Sequence, residues 1–368
     1  MGLRGYYRQF AGMTDEEVSE QLREQSAQAR RKALAKVEAI DLSLTTWHEL
    51  PHPDVVAAVT FASRGLLNLA PDPTAEEIRH ALARRVGLEA NRIAVGDGAA
   101  QLLSSATRAL VKPGEELLIP WPSYGLYPLM AQRAGAQAVP VPQGHDVERL
   151  LSAVTPRTRA IVLCNPNDPT GGYMPPSQLR ALLDALPEHV SLLLDEALID
   201  YVSDERAAAA SLALLDAHPR LLVFRTFSKI YGLAGLRCGY VLGGPGAEQL
   251  VAQLAPELGV GVPSQAGVLE ALRVCDAQVA SRRATVLAER ARMAELLHDA
   301  PLDAAPSETN FLWLRAPGLS SSELTARLRR GGAIVMSGTA VGDDEHVRAT
   351  IQAPIHADRL LEAARTAF

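Results

Sequence analysis

The sequence has little cysteine and no long apolar run, and each scarcity excludes a class of protein. Cys164, Cys238 and Cys275 have neither paired nor metal-ligand spacing, which argues against a disulfide scaffold or a cysteine metal site. All three lie in apolar segments, so we predict buried thiols in a reducing compartment. No apolar run has transmembrane length, and MGLRGYYRQF lacks the core of a signal peptide. Tyr6 stands where a myristoylation signal has Ser or Thr, so we expect a cytoplasmic protein without a membrane partner.

Basic residues are also fewer than acidic ones, 36 against 42. The net charge is −6 and no basic stripe stands out, which argues against nucleic acid as a partner. Hydrophobic residues make up 48% of the chain and charged residues 21%, the balance of an ordinary folded protein. Since a chain of 368 residues is long for one hydrophobic core, we expect two lobes.

Three parts follow from the hydrophobic pattern along the chain. Residues 1–45 form an N-terminal arm, in which Thr14 starts one long helix that packs with the small domain or with a partner subunit. Within 46–255, short β-branched runs alternate with helices, one of them SLALLDAH, which predicts a three-layer α/β/α domain with a mainly parallel sheet. Residues 256–368 read as a smaller α+β domain, with a long helical run over 264–299 and a strand at AIVMSG.

Two polar clusters follow predicted strands, at the sheet edge where open parallel sheets bind ligands. In GDGAAQ, Gly98 permits a tight turn, and the helix start at Ala99 and Ala100 offers free N–H groups to an anion. In CNPNDPTGG, prolines and glycines fix a loop that presents Asn167 and Asp168. The alternative for each cluster is a plain turn, although so many turn-forming residues at one strand end, as in CNPNDPTGG, are unusual.

Two further clusters follow strands later in the chain. Asp195 ends the apolar run in LLLDEALIDY. A carboxylate at this position is either buried beside a cation or hydrogen-bond donor, or it caps the next helix. Lys229, in TFSKIYGLAGLRCGY, is either a surface lysine or a shielded one. Thr226 and Ser228 stand beside it, and Arg237 follows eight residues later.

Together the four clusters predict one ligand with an anionic end, a reactive carbonyl and a ring nitrogen. A phosphate suits the GDG turn, Thr226, Ser228 and Arg237. An aldehyde suits Lys229, because an amine shielded from water has a lowered pKa and can form a Schiff base. Asp195 would keep a ring nitrogen protonated. Pyridoxal 5′-phosphate has all three groups, and we predict it as the cofactor.

In these motifs the sequence resembles the fold type I pyridoxal-phosphate enzymes, specifically class I/II aminotransferases of the histidinol-phosphate aminotransferase branch. PWPSYGLYP resembles the segment whose tyrosine, here Tyr124, stacks on the pyridine ring. The resemblance implies that Lys229 and Asp195 are catalytic and that Asn167 and Asp168 lie in the cofactor loop. HVRATI resembles the segment whose arginine, here Arg348, binds the substrate α-carboxylate. The family resemblance also implies a homodimer.

Four positions depart from the family pattern. Asp168 replaces an asparagine and Leu198 a tyrosine, both next to the cofactor's phenolic oxygen, so we expect a carboxylate to repel that oxygen unless one of them holds a proton. Ala70 replaces a tyrosine that reaches the neighbouring subunit's phosphate. Met336 replaces the second arginine of the branch, so histidinol phosphate would lose an anchor. The more apolar pocket favours an uncharged or aromatic amino acid.

The pocket wall is less determined by the sequence. TTWHELPHP lies where the family's N-terminal segment lines the substrate pocket, so Trp47 and His48 are candidate substrate contacts. His48 could instead be a loop histidine that bonds the backbone. Tyr127 and Tyr231 are either pocket or packing residues.

The leading prediction is an aminotransferase that moves an amino group between an amino acid and a 2-oxo acid, with Lys229 as the base. A decarboxylase, cyclase or oxidase with the same cofactor is the alternative, because DEALIDY also resembles threonine-phosphate decarboxylases. A non-catalytic cofactor-binding regulator has little support, since Lys229, Asp195 and Arg237 are all present and no DNA-binding segment stands out.

Overall fold

The N-terminal segment is described only in part. The computed structural model describes residues 12–14, 16–21, 23–24, 39–297 and 300–368. Thr14 starts a helix as predicted: its hydroxyl accepts from the Glu17 amide, and its own amide donates to the Glu17 carboxylate at 2.8 Å. Most of the remaining residues of the predicted long helix lie outside the described residues.

Strands and helices alternate through most of the described chain. The strands are β1 (Ile40–Asp41), β2 (Ile93–Gly96), β3 (Glu116–Trp121), β4 (Gln137–Pro142), β5 (Thr158–Cys164), β6 (Ser191–Asp195), β7 (Leu221–Thr226), β8 (Gly239–Gly243), β9 (Asp303–Ala304), β10 (Phe311–Arg315), β11 (Ala333–Ile334), β12 (Met336–Ser337) and β13 (His346–Thr350). The α-helices are α1 (Pro53–Gly65), α2 (Glu76–Val86), α3 (Ala99–Leu110), α4 (Tyr127–Arg133), α5 (Val147–Ala153), α6 (Pro176–Ala185), α7 (Ala207–Leu212), α8 (Glu248–Leu254), α9 (Val262–Val274), α10 (Asp276–Leu296), α11 (Ser321–Arg330) and α12 (Pro354–Ala367).

A seven-stranded sheet forms the centre of the larger part, in the order β2-β8-β7-β6-β5-β3-β4. Within this sheet, β8 runs opposite to the other six strands, which are parallel to one another. Both faces of the sheet are covered: Leu192 and Leu194 of β6 pack in one apolar cluster, while Leu193 packs in the other. Helices α2, α6 and α9 contribute to the first cluster, and α3, α4 and α8 to the second. The predicted three-layer α/β/α architecture is confirmed. The inner strands β6 and β7 are buried because neither face meets water, while the edge strand β4 is partly exposed.

The smaller sheets lie towards the C-terminus. An antiparallel sheet has the order β12-β13-β10-β9, and β1 pairs in parallel with β11. Helices α10, α11 and α12 share one apolar core with these strands, which matches the predicted α+β composition. Helix α9, however, packs against α1 and α2 of the large part. The predicted boundaries at residues 45 and 255 stay predictions.

Three predicted elements differ in the structure. The single helix over 264–299 is two helices, because the chain turns at Cys275 between α9 and α10. AIVMSG forms two short strands in different sheets, since β11 pairs with β1 and β12 pairs with β13. The helix predicted at SLALLDAH ends at Leu212, and the alanines before it, which favour helix most, form α7 instead.

The three thiols are buried and unpaired, as predicted. Among the residues that the structure describes, no helix combines the length and the apolar character that crossing a bilayer requires.

A buried ion pair ties two central strands together. Arg225 in β7 donates from Nε and Nη2 to Oε2 of Glu196, at 2.9 and 2.8 Å, and from Nη2 to the Ala208 carbonyl at 2.7 Å. Glu196 directly follows Asp195, the last residue of β6. The pair therefore fixes the end of β6, where the predicted catalytic carboxylate lies.

We predict that Arg225→Leu lowers the free energy of unfolding by about 3 kcal/mol or more, because it leaves a buried carboxylate without its cation. Urea denaturation followed by circular dichroism measures the change. Adding Glu196→Gln should recover part of the loss, since it removes the unpaired charge. A loss below about 1 kcal/mol, the value typical of an exposed pair, would contradict this view of the contact.

Candidate active site

A cavity opens at the carboxyl ends of the parallel strands. The sheet order brings the ends of β2, β7, β6 and β5 to one edge, as expected for a ligand site in an open parallel sheet. The residues that border the cavity are Thr46, Ala99, Ala100, Tyr124, Cys164, Asp168, Asp195, Ala197, Leu198, Thr226, Ser228, Lys229, Ala234 and Arg237. Most of the predicted site residues are therefore brought together.

Lys229 follows β7 and reaches into this cavity. Its amine contacts the hydroxyl of Thr45, a residue that the sequence analysis did not single out. Burial lowers the pKa of Lys229, while the Asp168 carboxylate raises it and the Arg348 guanidinium lowers it. A lowered pKa leaves more of the amine neutral, the form that attacks a carbonyl carbon.

Asp195 ends β6 and has a donor on each carboxylate oxygen. The Tyr127 hydroxyl donates to Oδ2 at 2.7 Å, and the Ala197 amide donates to Oδ1 at 3.0 Å. Burial raises the pKa of Asp195, and the hydrogen bonds from Tyr127 and Ala197 lower it. Tyr127 is thus neither a pocket-lining nor a purely packing residue, because its hydroxyl holds the Asp195 carboxylate in place.

The start of α3 forms one side of an anion-binding cup. No side chain caps this helix, so the amides of Ala99 and Ala100 are free to bind a ligand. Gly98, just before the helix, has a φ of 83°, a conformation that side-chain-bearing residues rarely adopt. A Cβ at Gly98 would lie 2.7 Å from Nη2 of Arg237. Only glycine therefore lets the arginine lie against the helix start.

Thr226, Ser228 and Arg237 form the other side of the cup. The Ser228 amide donates to the Thr226 hydroxyl at 3.1 Å, and Nη1 of Arg237 donates to the Ser228 hydroxyl at 3.4 Å. Arg237 has a left-handed backbone with φ of 49°, a strained state typical of functional sites. Gly239 then runs close to α3, since a Cβ there would lie 2.5 Å from the Ala99 amide nitrogen.

Asn167 is not brought into the cavity. Its Oδ1 accepts from the Ser123 hydroxyl at 2.7 Å, and its Nδ2 donates to the Pro122 carbonyl and the Thr170 hydroxyl. These bonds use its side-chain polar atoms to brace the loop. A buried amide inside a turn serves the loop first, which the sequence alone could not distinguish from ligand binding.

Asp168, the next residue, borders the cavity and pairs with Arg348. Nη1 of Arg348 contacts Oδ1 of Asp168, and Nη2 donates to the Ser43 carbonyl at 2.7 Å. The guanidinium also lies over the Phe311 ring, 5.3 Å from its centroid. Asp168 thus has a cation as its direct partner, where the sequence predicted only a repelled phenolic oxygen.

Trp47 and His48 do not border the cavity. Trp47 packs in an apolar cluster, with the Arg282 guanidinium 4.8 Å from its ring and its Nε1 donating to Glu49. His48 is exposed, and its amide donates to the Gln352 side chain at 3.1 Å. The neighbouring threonines turn towards the cavity instead, so the substrate contacts predicted for Trp47 and His48 gain no support from this geometry.

Of the remaining predicted pocket residues, some border the cavity and others do not. Tyr124 borders the cavity, whereas Tyr231 packs on Phe227 with ring centroids 5.1 Å apart. Leu198 is buried and borders the cavity. Met336 lies directly opposite Arg348 in the register of β12 and β13. Both replacements therefore make the surroundings of Arg348 and Lys229 more apolar.

These residues fit pyridoxal 5′-phosphate. The uncapped helix start, two hydroxyls and an arginine match a phosphate; the Lys229 amine matches an aldehyde; and the Asp195 carboxylate matches a protonated ring nitrogen. A Cβ at Gly98 would meet the Arg237 guanidinium, so glycine at this position keeps the arginine beside the free amides of the helix start. Fold and site together define a fold type I pyridoxal-phosphate enzyme.

The chain belongs to the class I and II aminotransferases: residues 39–366 match the family described as "Aminotransferase class I and II". An aromatic amino acid aminotransferase from Corynebacterium efficiens is 36% identical over 318 residues, which cover 85% of this chain and 89% of that protein. Histidinol-phosphate aminotransferase 1 from Nitrosococcus oceani is 36% identical over 304 residues, covering 82% of this chain and 81% of that protein. The crystal structure of histidinol-phosphate aminotransferase from Sinorhizobium meliloti in complex with pyridoxal-5′-phosphate aligns with a TM-score of 0.80 and 28% identity, covering 93% of this chain and 95% of that one.

We predict that Arg237→Leu weakens the binding of pyridoxal 5′-phosphate by about 10- to 100-fold, because a charge-assisted hydrogen bond to the phosphate is lost. The affinity for pyridoxal, which has no phosphate, should change by less than about threefold. Titration followed by visible absorbance measures both. Equal losses for the two ligands would show that Arg237 acts on the fold and not on a phosphate.

Proposed function

We propose that this aminotransferase transfers the amino group of an aromatic amino acid to a 2-oxo acid. The observation that carries the proposal is the convergence of Lys229, Asp195 and the anion cup on one cavity bordered by the apolar Leu198. Two of the similar proteins, from Corynebacterium efficiens and Mycobacteroides abscessus, bear the name aromatic amino acid aminotransferase. The alternative of a decarboxylase, cyclase or oxidase is not favoured, because the matched family and relatives are aminotransferases.

The cofactor is pyridoxal 5′-phosphate. When bound, it supplies an aldehyde that takes up the amino group and a ring that accepts the electron pair left at the substrate's Cα. Lys229 would hold its aldehyde end, and Asp195 would accept a hydrogen bond from its ring nitrogen. The free amides of Ala99 and Ala100, together with the guanidinium of Arg237, would hold its phosphate. Thr226 and Ser228 supply hydroxyls on the same side.

On the substrate side, each group acts at one place. Tyr124, at the cavity wall, would stack on the pyridine ring of the cofactor. Arg348 would bind the α-carboxylate and so fix the direction of the Cα–H bond. Lys229, whose pKa burial lowers, would accept the Cα proton on Nζ as a general base once the substrate amine has taken its place at the aldehyde.

The apolar surroundings decide the side chain of the substrate. Leu198 borders the cavity and Met336 lies beside Arg348, so no cation is supplied at either position for a phosphate on the substrate side chain. An unpaired phosphate dianion there would lose its hydration without a partner. An aromatic ring, by contrast, gains from the burial of apolar surface.

The test is a half-reaction with the holoenzyme. Phenylalanine should give phenylpyruvate in an amount equal to the bound cofactor, and kcat/KM should exceed that for histidinol phosphate by about 100-fold, since an unpaired charge costs several kcal/mol. Lys229→Ala should lower the rate by about a thousandfold or more. Phenylethylamine and carbon dioxide as products would contradict transamination, and faster turnover of histidinol phosphate would contradict the substrate.

We also infer a homodimer, supported by an exposed apolar surface around α1. This surface comprises Phe61 of α1, Leu67 in the turn after it, and Leu258, which are 75%, 71% and 83% exposed. Leu258 precedes Gly259, which packs against the chain at residues 72–73. Exposed apolar residues that gather on one side of a protein typically meet a partner. We place the enzyme in the cytoplasm, whose reducing conditions suit the three unpaired thiols.

We predict that Phe61→Glu together with Leu258→Glu converts the wild-type dimer to a monomer, because two buried carboxylates would face an apolar partner surface. Light scattering coupled to gel filtration measures the mass. The control is Ile355→Glu, which changes an equally apolar residue on α12 that is 53% exposed and should leave the dimer intact. A monomeric wild type, or a dimer in the double variant, would contradict the assignment.

A further inference from the structure

We propose that Asp168 is a specificity-determining residue: its carboxylate occupies Arg348 in the resting enzyme, and the α-carboxylate of an amino acid must displace it. The inference rests on the proposed role of Arg348 in binding that α-carboxylate. It assigns to this chain an internal competitor that weakens the hold on the amino acid's carboxylate and leaves an amine without a carboxylate unaffected.

The contacts of Arg348 carry the first step. Two of its three side-chain nitrogens are engaged, Nη1 by Asp168 and Nη2 by the Ser43 carbonyl. Its Nε is buried and has no partner among the described residues. Both side chains of the ion pair are only 10% exposed, so water does little to screen the attraction. A carboxylate that grips Arg348 with both oxygens therefore meets a guanidinium whose Nη1 another carboxylate already holds.

The loop keeps Asp168 in this place. The Asn167 side chain bonds Ser123, Pro122 and Thr170, and the Asn167 amide and carbonyl bond Gly172 and Gly171 at 2.8 Å each. The backbone that presents Asp168 is thus fixed on both sides. Because the loop cannot swing away freely, an incoming carboxylate must break the ion pair by rotating the Asp168 side chain.

The charges around Asp168 decide whether its carboxylate weakens or strengthens the binding of an α-carboxylate. The ionisable groups that face it are Arg348, Lys229, Asp195, Tyr124 and Cys164. Of these, Arg348 and Lys229 are the cations, and Lys229 is committed to the cofactor under the proposed function. An α-carboxylate would therefore share one arginine with a second buried carboxylate. Two like charges so placed repel by several kcal/mol unless one of them takes up a proton.

The experiment uses the holoenzyme and a ligand that cannot react. 3-Phenylpropionate has the ring and the carboxylate of phenylalanine but no amine, and 3-phenylpropan-1-ol is the same molecule with the charge removed. Isothermal calorimetry measures both affinities for the wild type, Asp168→Asn and Asp168→Glu. The asparagine variant keeps the size of the side chain and removes its charge, while the glutamate variant keeps the charge.

We expect Asp168→Asn to bind 3-phenylpropionate about tenfold tighter or more, since removing a like charge recovers at least 1.4 kcal/mol. Its affinity for the alcohol should change by less than about twofold, because no charge is involved. Asp168→Glu should stay within about threefold of the wild type for both ligands. In an Arg348→Gln background, 3-phenylpropionate should bind weakly with or without Asp168→Asn, because the cation that both carboxylates share is gone.

Equal or weaker carboxylate binding by Asp168→Asn overturns the inference, and so does absent binding in both proteins. Equal tightening of the alcohol would overturn it too, since the effect would then be one of space. A wild-type circular dichroism spectrum and one bound cofactor per chain show that the variants are folded; if Asp168→Asn fails this check, Asp168→Ser replaces it with the same expectation. Failure of the proposed function looks different: the wild type would give no phenylpyruvate from phenylalanine. If phenylpyruvate forms and the tightening does not occur, only the role of Asp168 is wrong.

Discussion

The rest of the site depends on the charge balance at the Lys229 amine. This amine lies in a cleft with the carboxylates of Asp168 and Asp195 and the guanidinium of Arg348. Burial disfavours the charged form of Lys229, and the carboxylate of Asp168 partly restores it. Strands β6 and β7 create this balance, because both are buried up to their last residues, Asp195 and Thr226. The same exclusion raises the pKa of Asp195, which Tyr127 and the Ala197 amide oppose.

The parts of the site that follow directly from strand ends could be predicted from the sequence. Asp195 follows three leucines and Lys229 comes just after the buried strand β7, and parallel strands place such residues at one edge. Gly98 before an uncapped helix marked the anion cup, because its backbone conformation excludes other residues. The start of α3 at Ala99 was predicted from the same glycine.

What the sequence could not provide are contacts between distant segments. Tyr127 is 68 residues from Asp195, and Arg348 is 180 residues from Asp168. No local pattern distinguishes a tyrosine that donates to a carboxylate from one that only packs. Trp47 and Thr45 show the same limit: in an irregular segment, side-chain direction is set by hydrogen bonds to β13 and Asn310, not by alternation. AIVMSG was split between two sheets for this reason as well, since β11 pairs with Ile40 and Asp41, which lie far away in the chain.

The central claim is that Lys229 alone carries the cofactor, and reductive trapping tests it most directly. The holoenzyme is treated with borohydride, digested, and the modified peptide is identified by mass spectrometry. The account predicts one pyridoxyl group per chain, on Lys229, with Lys32, Lys36 and Lys112 unmodified. A stable label on one of those three lysines, or protein that takes up no label at all, would contradict it.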